Sequence, residues 1–251
     1  MNCNIYVINL KSSTERRENI ERQFKKIGTD FLLFNAINGN ENHHPLFNRY
    51  NEKKRKLLRG NPLNSGQLGC FASHYLLWEK CVSLNQAIII IEDDAIIDPK
   101  LFLNFYNNTR FLSPDYQCIR LFKNKRKNYR YLLIKNDHEK LIGKFTKGHM
   151  STTGYYLTPE GAKKFLESAN EWLLPVDLHM DNFWSNKVEC YGLITPCLDN
   201  DKEFDSDIGY AKNKNRRPIH VKARRELFTL SQLIRRTIWN TLFKLKNLSG
   251  N

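Results

Sequence analysis

The chain alternates short apolar runs with longer amphipathic stretches. Residues 5 to 10, IYVINL, have strand composition, and KSSTERRENIERQFKKIG behind them sets Ile20, Phe24 and Ile27 on one helical face, with Ser13 as N-cap and Gly28 as the stop. FLLFNAING, ending at Gly39, predicts a second strand, and this β-α-β opening argues for a parallel sheet with a right-handed crossover. Residues 40 to 64 are polar and poorly periodic and read as a loop or lid. NSGQLGCFASHYLLWEKCVSL predicts a helix capped by Ser65, with Leu68, Phe71, Ala72, Tyr75, Leu76 and Val82 as its apolar stripe. Further on come a strand at 87 to 92, a helix in KLFLNFYNNTRFL, a strand in YQCIRLF, and a solvated loop or edge hairpin across the basic stretch 123 to 140. TTGYYLTPEGAKKFLESA reads as a strand leading into a helix started by Pro159 and Glu160, and YGLITP as a last short strand.

One run stands apart: IIIIEDDAIID at 88 to 98. Four isoleucines, apolar on both faces, specify a central strand covered on each side. Three adjacent carboxylates follow at its C-terminal end, which is where open α/β sheets bind ligands. Such neighbours repel and are costly to bury unpaired. A hard divalent cation, Mn²⁺ or Mg²⁺, would relieve the cost, because these ions take oxygen ligands and bind diphosphates. Glu92 and Asp94 have the i, i+2 spacing that turns both toward one side of an extended chain. The alternative is an exposed strand end or a helix-capping turn.

With 251 residues the chain suits one full-sized α/β domain and a tail. Its net charge of +14 is uneven: from Lys212 onward eleven basic residues face the single acid Glu226, which leaves about +4 on the first 211. Six scattered cysteines without a C-x-x-C pair fit reduced thiols in a cytosolic protein. No signal-like leader and no uncharged apolar stretch near 18 residues is visible, so the expected place is the compartment of synthesis. In the tail, Leu227, Leu230, Ile234, Ile238 and Leu245 fall near helical spacing, joined by Phe228, Trp239, Leu242 and Phe243, with Arg235, Arg236 and Lys244 between. That pattern suits a helix lying on an anionic membrane surface. Its alternative is a helix packed on the domain or on a partner.

Distributed motifs add a resemblance. YVINLKSSTERR at 6 to 17, NAING at 35 to 39, GQLGCFASHYLLWEKC at 66 to 81, AIIIIEDDA at 87 to 95 and STTGYYLTPEGAKKFL at 151 to 166 stand in order, with PVDLHMD at 175 to 181 and SDIG at 206 to 209 as looser matches. In these the chain resembles the family 25 glycosyltransferases, which include bacterial lipooligosaccharide galactosyltransferases and collagen-modifying galactosyltransferases. The resemblance implies a GT-A-type fold over residues 1 to 211: one Rossmann-like α/β domain with a mostly parallel sheet flanked by helices, followed by the basic amphipathic helical tail at 212 to 251. It also implies a UDP-sugar donor with Mn²⁺ or Mg²⁺ on its diphosphate.

By that analogy Asp94 is the first choice as metal ligand, with Glu92 and Asp93 contacting metal, ribose or donor sugar. The motif here is E-D-D, where many GT-A enzymes have D-x-D, so which carboxylate touches the metal stays open. Asn9 and Leu10 would offer backbone groups to the base, and Arg16 or Arg17 would pair with ribose or phosphate. Ser73 and His74 would line the donor pocket, the alternative for each being a structural hydrogen bond. Thr152, Thr153 and Gly154 would let a sugar approach the backbone, and His149 and His220 are possible extra ligands.

Inverting transfer, the outcome the family implies, needs a base for the acceptor hydroxyl. Asp177 is the first candidate and Asp181 the second, at i, i+4 if PVDLHMD is helical; the alternative is a pair of surface acids near a helix start. The leading expectation is galactose transfer from UDP-galactose to lipooligosaccharide or lipopolysaccharide, by a bacterial enzyme peripheral on the inner face of the cytoplasmic membrane. UDP-glucose as donor, or protein hydroxylysine as acceptor, keeps the same fold. A basic nucleic-acid-binding module is the competing class, and nucleic acid is not expected because the charge gathers in the tail rather than over a face with stacking aromatics. A sugar-binding protein without catalysis is the remaining alternative, against which an intact Asp94 argues.

Overall fold

The computed structural model describes residues 3 to 41, 43 to 133, 142 to 200 and 219 to 248. Its centre is an eight-stranded sheet in the order β2-β1-β3-β8-β5-β9-β7-β6. These strands are β1 (Asn4–Asn9), β2 (Leu32–Asn35), β3 (Ile88–Glu92), β5 (Cys118–Arg120), β6 (Tyr131–Leu133), β7 (Ile142–Phe145), β8 (Gly154–Leu157) and β9 (Tyr191–Leu193). The pairings β1 with β2, β1 with β3 and β5 with β9 are parallel, while β8 and β7 run against their neighbours. Six of the eight strands therefore point the same way, the mostly parallel sheet expected of a GT-A-type fold.

Strand β3 shows why the sheet is covered on both faces. Side chains alternate across a strand. Ile89 and Ile91 join the layer of α1 (Thr14–Ile27) and α4 (Pro99–Asn108), with Phe24 and Phe102. Ile88 and Ile90 join the layer of α3 (Ser65–Leu84) and α5 (Pro159–Ser168), with Trp78 and Phe165. All four isoleucines are fully buried. Each contributes about 1.5 to 3 kcal/mol, so the four together rival the usual net stability of a domain, about 5 to 15 kcal/mol. That anchor fixes the strand end, with its acids, against their mutual repulsion.

Several expectations need adjusting. The polar stretch at 40 to 64 is not a loop throughout: it holds a 3₁₀ turn (Pro45–Arg49) and α2 (Glu52–Arg59), capped by the Asn51 side chain and ended at Gly60 in the left-handed region. Six of the eight residues of α2 are charged, which hides its helical period from an apolar count. The cap of α3 is Asn64 rather than Ser65, because Asn64 and Gln67 exchange side-chain-to-backbone bonds in a capping box. β2 ends at Asn35, before the glycine. Beyond the acids, β4 (Ala95–Ile97) pairs antiparallel with β10 (Leu198–Asn200) in a small second sheet.

At the end of the described part of the basic stretch, β6 is the edge strand of the sheet and pairs antiparallel with β7. After α6 (Val176–Asp181) and α7 (Phe183–Asn186), the tail forms α8 (Ile219–Leu248). This helix docks on the domain through Phe228 on Arg59, Gln232 on Trp184, Trp239 on Glu189 and Asn240 on Lys144. Its other side exposes Leu227, Leu230, Ile234 and Ile238. No described helix is long and apolar enough to cross a membrane.

Candidate active site

A cavity of about 400 Å³ opens at the C-terminal ends of β1 and β3. Such a volume suits a small organic ligand. Leu10, Arg16, the segment 36 to 40, Cys70, Ser73, His74 and all three acids line it. Two glycines set its wall. A Cβ on Gly39 would lie 1.8 Å from the Ser65 carbonyl oxygen, and one on Gly69 would lie 2.3 Å from that of Ile37. Only bare backbone allows α3 to touch the irregular segment that follows β2 so closely. Ser73 completes the contact: its hydroxyl accepts from the Ile37 N–H at 2.8 Å and donates to the Gly69 carbonyl at 2.8 Å.

The three carboxylates meet three different surroundings. Asp93 accepts from Asn9 Nδ2 at 2.6 Å and from Arg16 Nη1 at 3.4 Å. Burial pushes its carboxyl up, and those two partners restrain the rise. Glu92 lies beside His74 Nε2, at 3.2 Å, and accepts from the Thr152 hydroxyl. Burial would raise Glu92, but His74 and Thr152 outweigh it and hold the group below its ordinary value. Asp94 is the unsettled one. Asn200 Nδ2 donates to its Oδ2 at 3.4 Å, while Oδ1 is buried without a hydrogen-bond partner among the described residues. Burial, then the charges of Glu92 and Asp93, push its carboxyl up to about 7. An orphaned, desolvated oxygen beside two other acids fits a hard divalent cation, which would remove the cost of ionising Asp94.

Helix α6 separates the two candidate bases. Asp181 is only 2 % exposed, and donors occupy both its oxygens: Arg120 at 3.4 Å and the His149 N–H at 2.9 Å on Oδ1, Arg126 at 3.1 Å and the Met150 N–H at 3.0 Å on Oδ2. It therefore holds the turn at 148 to 150, where Met150 has φ 58°, and is not placed to take a proton, contrary to its expected role as second candidate. That turn leads directly to Thr152, on Glu92, and to Thr153, which donates to Asn200 at 2.9 Å. Asp177 accepts from the Leu178 backbone N–H. Burial, and then the charge of Asp181, raise its carboxyl, as suits a proton acceptor.

Other expected residues fall outside the cavity. Arg17 pairs with Glu21 on the solvent face of α1, 2.9 Å away, so only Arg16 of the two arginines reaches the site. The Asn9 carbonyl accepts from the Ala36 N–H in the sheet, so the residue serves through its side chain on Asp93 rather than by offering that carbonyl to a base. His149 is buried between Phe122 and Phe145, away from the acids. SDIG at 206 to 209 and the side chain of His220 lie outside the described residues. Asn200, Tyr155 and Arg126 carry no signal of a site in the sequence. Asn200 sits in no motif, Tyr155 is hidden in a strand core, and Arg126 lies in a stretch whose charge suggests only solvent.

Residues 2 to 180 match the family described as "Glycosyltransferase family 25 (LPS biosynthesis protein)". Among curated proteins, a "Glycosyltransferase 25 family member" of Anopheles gambiae is 32% identical over 195 residues, covering 72% of this chain and 32% of that protein. The "Lipooligosaccharide biosynthesis protein lic2B" of Haemophilus influenzae is 26% identical over 272 residues, covering 97% of each. A "Procollagen galactosyltransferase 1-B" of Xenopus laevis is 33% identical over 100 residues, 36% of this chain and 16% of that one. The chain thus spans about a third of the length of its insect relatives and nearly all of the Haemophilus protein.

Proposed function

The chain belongs to glycosyltransferase family 25, and from that premise we propose that it transfers galactose from UDP-galactose to a lipooligosaccharide or lipopolysaccharide acceptor, with inversion and with Mn²⁺ or Mg²⁺. The observation that carries the metal-dependent reading is the partnerless Oδ1 of Asp94 on a cavity large enough for a nucleotide sugar. In this reading Asp94, with Glu92, would hold the cation, which would stabilise charge on the departing diphosphate. Arg16 offers a positive group at the cavity rim, and Asn9 keeps Asp93 in place. Asp177 takes the proton of the acceptor hydroxyl as its oxygen bonds to the anomeric carbon and the bond to the diphosphate breaks, releasing UDP. The acceptor class rests on the relative matched end to end rather than on those matched over a third of their length.

The exposed side of α8 supports a second part of the reading, a place on the inner face of the cytoplasmic membrane. Leu227, Leu230, Ile234 and Ile238 stand out from the domain, and Arg235 and Lys244 lie on the same helix to meet anionic headgroups. Titration calorimetry with UDP and Mn²⁺, followed by a screen of UDP-sugars for UDP release, tests the catalytic reading. Tight metal-dependent binding of UDP with release from UDP-galactose is the expected result, and preference for UDP-glucose would move the donor assignment. A purified chain that binds neither uridine nucleotide nor cation would end the proposal.

A further inference from the structure

Cys70 enters none of the roles above, yet it faces the same cavity. It stands one helical turn before His74 on α3, so both side chains leave the helix on one side. Glu92 meets them from the end of β3. One ligand atom from each of the three, a sulfur, an imidazole nitrogen and a carboxylate oxygen, all lie within 4.8 Å of one another. The separation between His74 Nε2 and Glu92 Oε1, 3.2 Å, is close to the ~3.3 Å that two ligands at about 2.0 Å make on a tetrahedral ion.

The chemistry of the set differs from that of the three acids. Mn²⁺ and Mg²⁺ take oxygen; a sulfur, a nitrogen and one oxygen suit Zn²⁺. Three protein ligands leave the fourth position to the cavity. The imidazole is already oriented from behind. His74 Nδ1 lies 2.9 Å from the Tyr155 hydroxyl, which accepts from Trp78 Nε1 at 2.9 Å. Outer hydrogen bonds of this kind fix the ring of a metal-binding histidine.

We propose that Cys70, His74 and Glu92 form a Zn²⁺ site whose occupation closes the donor cavity. On binding, the Cys70 thiol gives its proton to solvent, and His74 meets the ion through Nε2 as the tautomer with its proton on Nδ1, facing the Tyr155 oxygen, the proton that Nε2 shares with Glu92 being exchanged through solvent to Nδ1. Sulfur, nitrogen and carboxylate oxygen then each donate a pair to the ion, with no change of oxidation state. Glu92 is withdrawn from the acids that would serve the donor diphosphate. The closing of the cavity rests on the function proposed above; the binding of Zn²⁺ does not.

Co²⁺ is the probe for the test, because a thiolate on Co²⁺ gives a near-ultraviolet charge-transfer band. The full chain should take up one Co²⁺ with that band and lose it on adding Zn²⁺. Cys70→Ser should abolish the band while its melting temperature stays near that of the parent. Tyr155→Phe should keep the band and weaken Zn²⁺ about 10- to 100-fold. With Mn²⁺ and UDP present, Zn²⁺ should displace UDP from the parent chain and fail to do so from Cys70→Ser. No band, or a band that persists in Cys70→Ser, overturns the site. Zn²⁺ bound through Cys70 without effect on UDP binding overturns the closing of the cavity. A chain that shows the band and binds no UDP at all sinks the donor reading and leaves the Zn²⁺ site standing.

Discussion

Asp94 and Asp177 are both raised by burial, but their neighbours make different predictions of them. Asp94 holds its proton up to about pH 7 in the cation-free chain, so a cation must displace it below that pH. Mn²⁺ affinity should then fall about tenfold per pH unit below 7 and level off above, and Asp94→Asn should remove the dependence together with UDP release. The stability sign follows from the same shift. Between about pH 4 and 7 the native chain binds more protons at this site than the unfolded one, so the cation-free protein loses stability as pH rises through that window. Thermal melting with and without Mn²⁺ at pH 5 and pH 8 reads both effects. Asp177→Asn should keep UDP binding and lose turnover by about 10²- to 10⁴-fold; a rate near that of the parent would move the base elsewhere. Asp181→Ala strips two arginines and two backbone N–H groups of their acceptor, with an expected cost of about 3 to 5 kcal/mol in denaturant unfolding. The acids were visible in the sequence because three carboxylates after four isoleucines have few structural uses. The separate fates of Asp177 and Asp181 were not, because spacing on one helix carries no record of which arginines come to meet it.

At the scale of elements, the legible parts were those whose burial is set by their own period. The strand ending in Glu92, the helix over Thr14–Ile27 and the strand and helix over Gly154–Ser168 all show their periods in apolar residues. Short pieces that depend on partners were hidden. β4 has three residues and exists through β10, about a hundred positions away, and α2 has only two leucines among its charges and is covered by α8, with Arg55 and Arg59 turned inward. The closest backbone approach in the site, α3 against the segment at 37 to 39, makes its own prediction. Gly69→Ala forces a methyl against the Ile37 carbonyl and should cost about 1 to 3 kcal/mol or more in unfolding. Because Ser73 and the cavity wall move with that contact, UDP affinity should drop in the same variant, which binding calorimetry can follow beside the melting curve.

For the molecule as a whole, α8 turns a basic tail into part of the domain surface. Lys144 lies fully buried beneath it, paired with Glu189 at 2.7 Å and set over the Phe183 ring at 3.8 Å. The sequence pattern showed one apolar stripe on this helix; the structure divides the apolar residues between a docked side and an exposed one, a division that composition alone does not fix. Replacing Ile234 and Ile238 with glutamate should leave the melting temperature within a few degrees and abolish sedimentation with anionic vesicles, whose salt sensitivity reports a contribution of about 1 kcal/mol per basic residue. Sedimentation that survives both changes would place the contact elsewhere. The acid cluster itself is tied to distant parts of the chain: Asn9 steadies Asp93, and Asn200 steadies Asp94. During translation, then, a ribosome that has exposed the isoleucine strand still lacks the later asparagine, and Asp94 waits for that amide until about a hundred further residues have emerged.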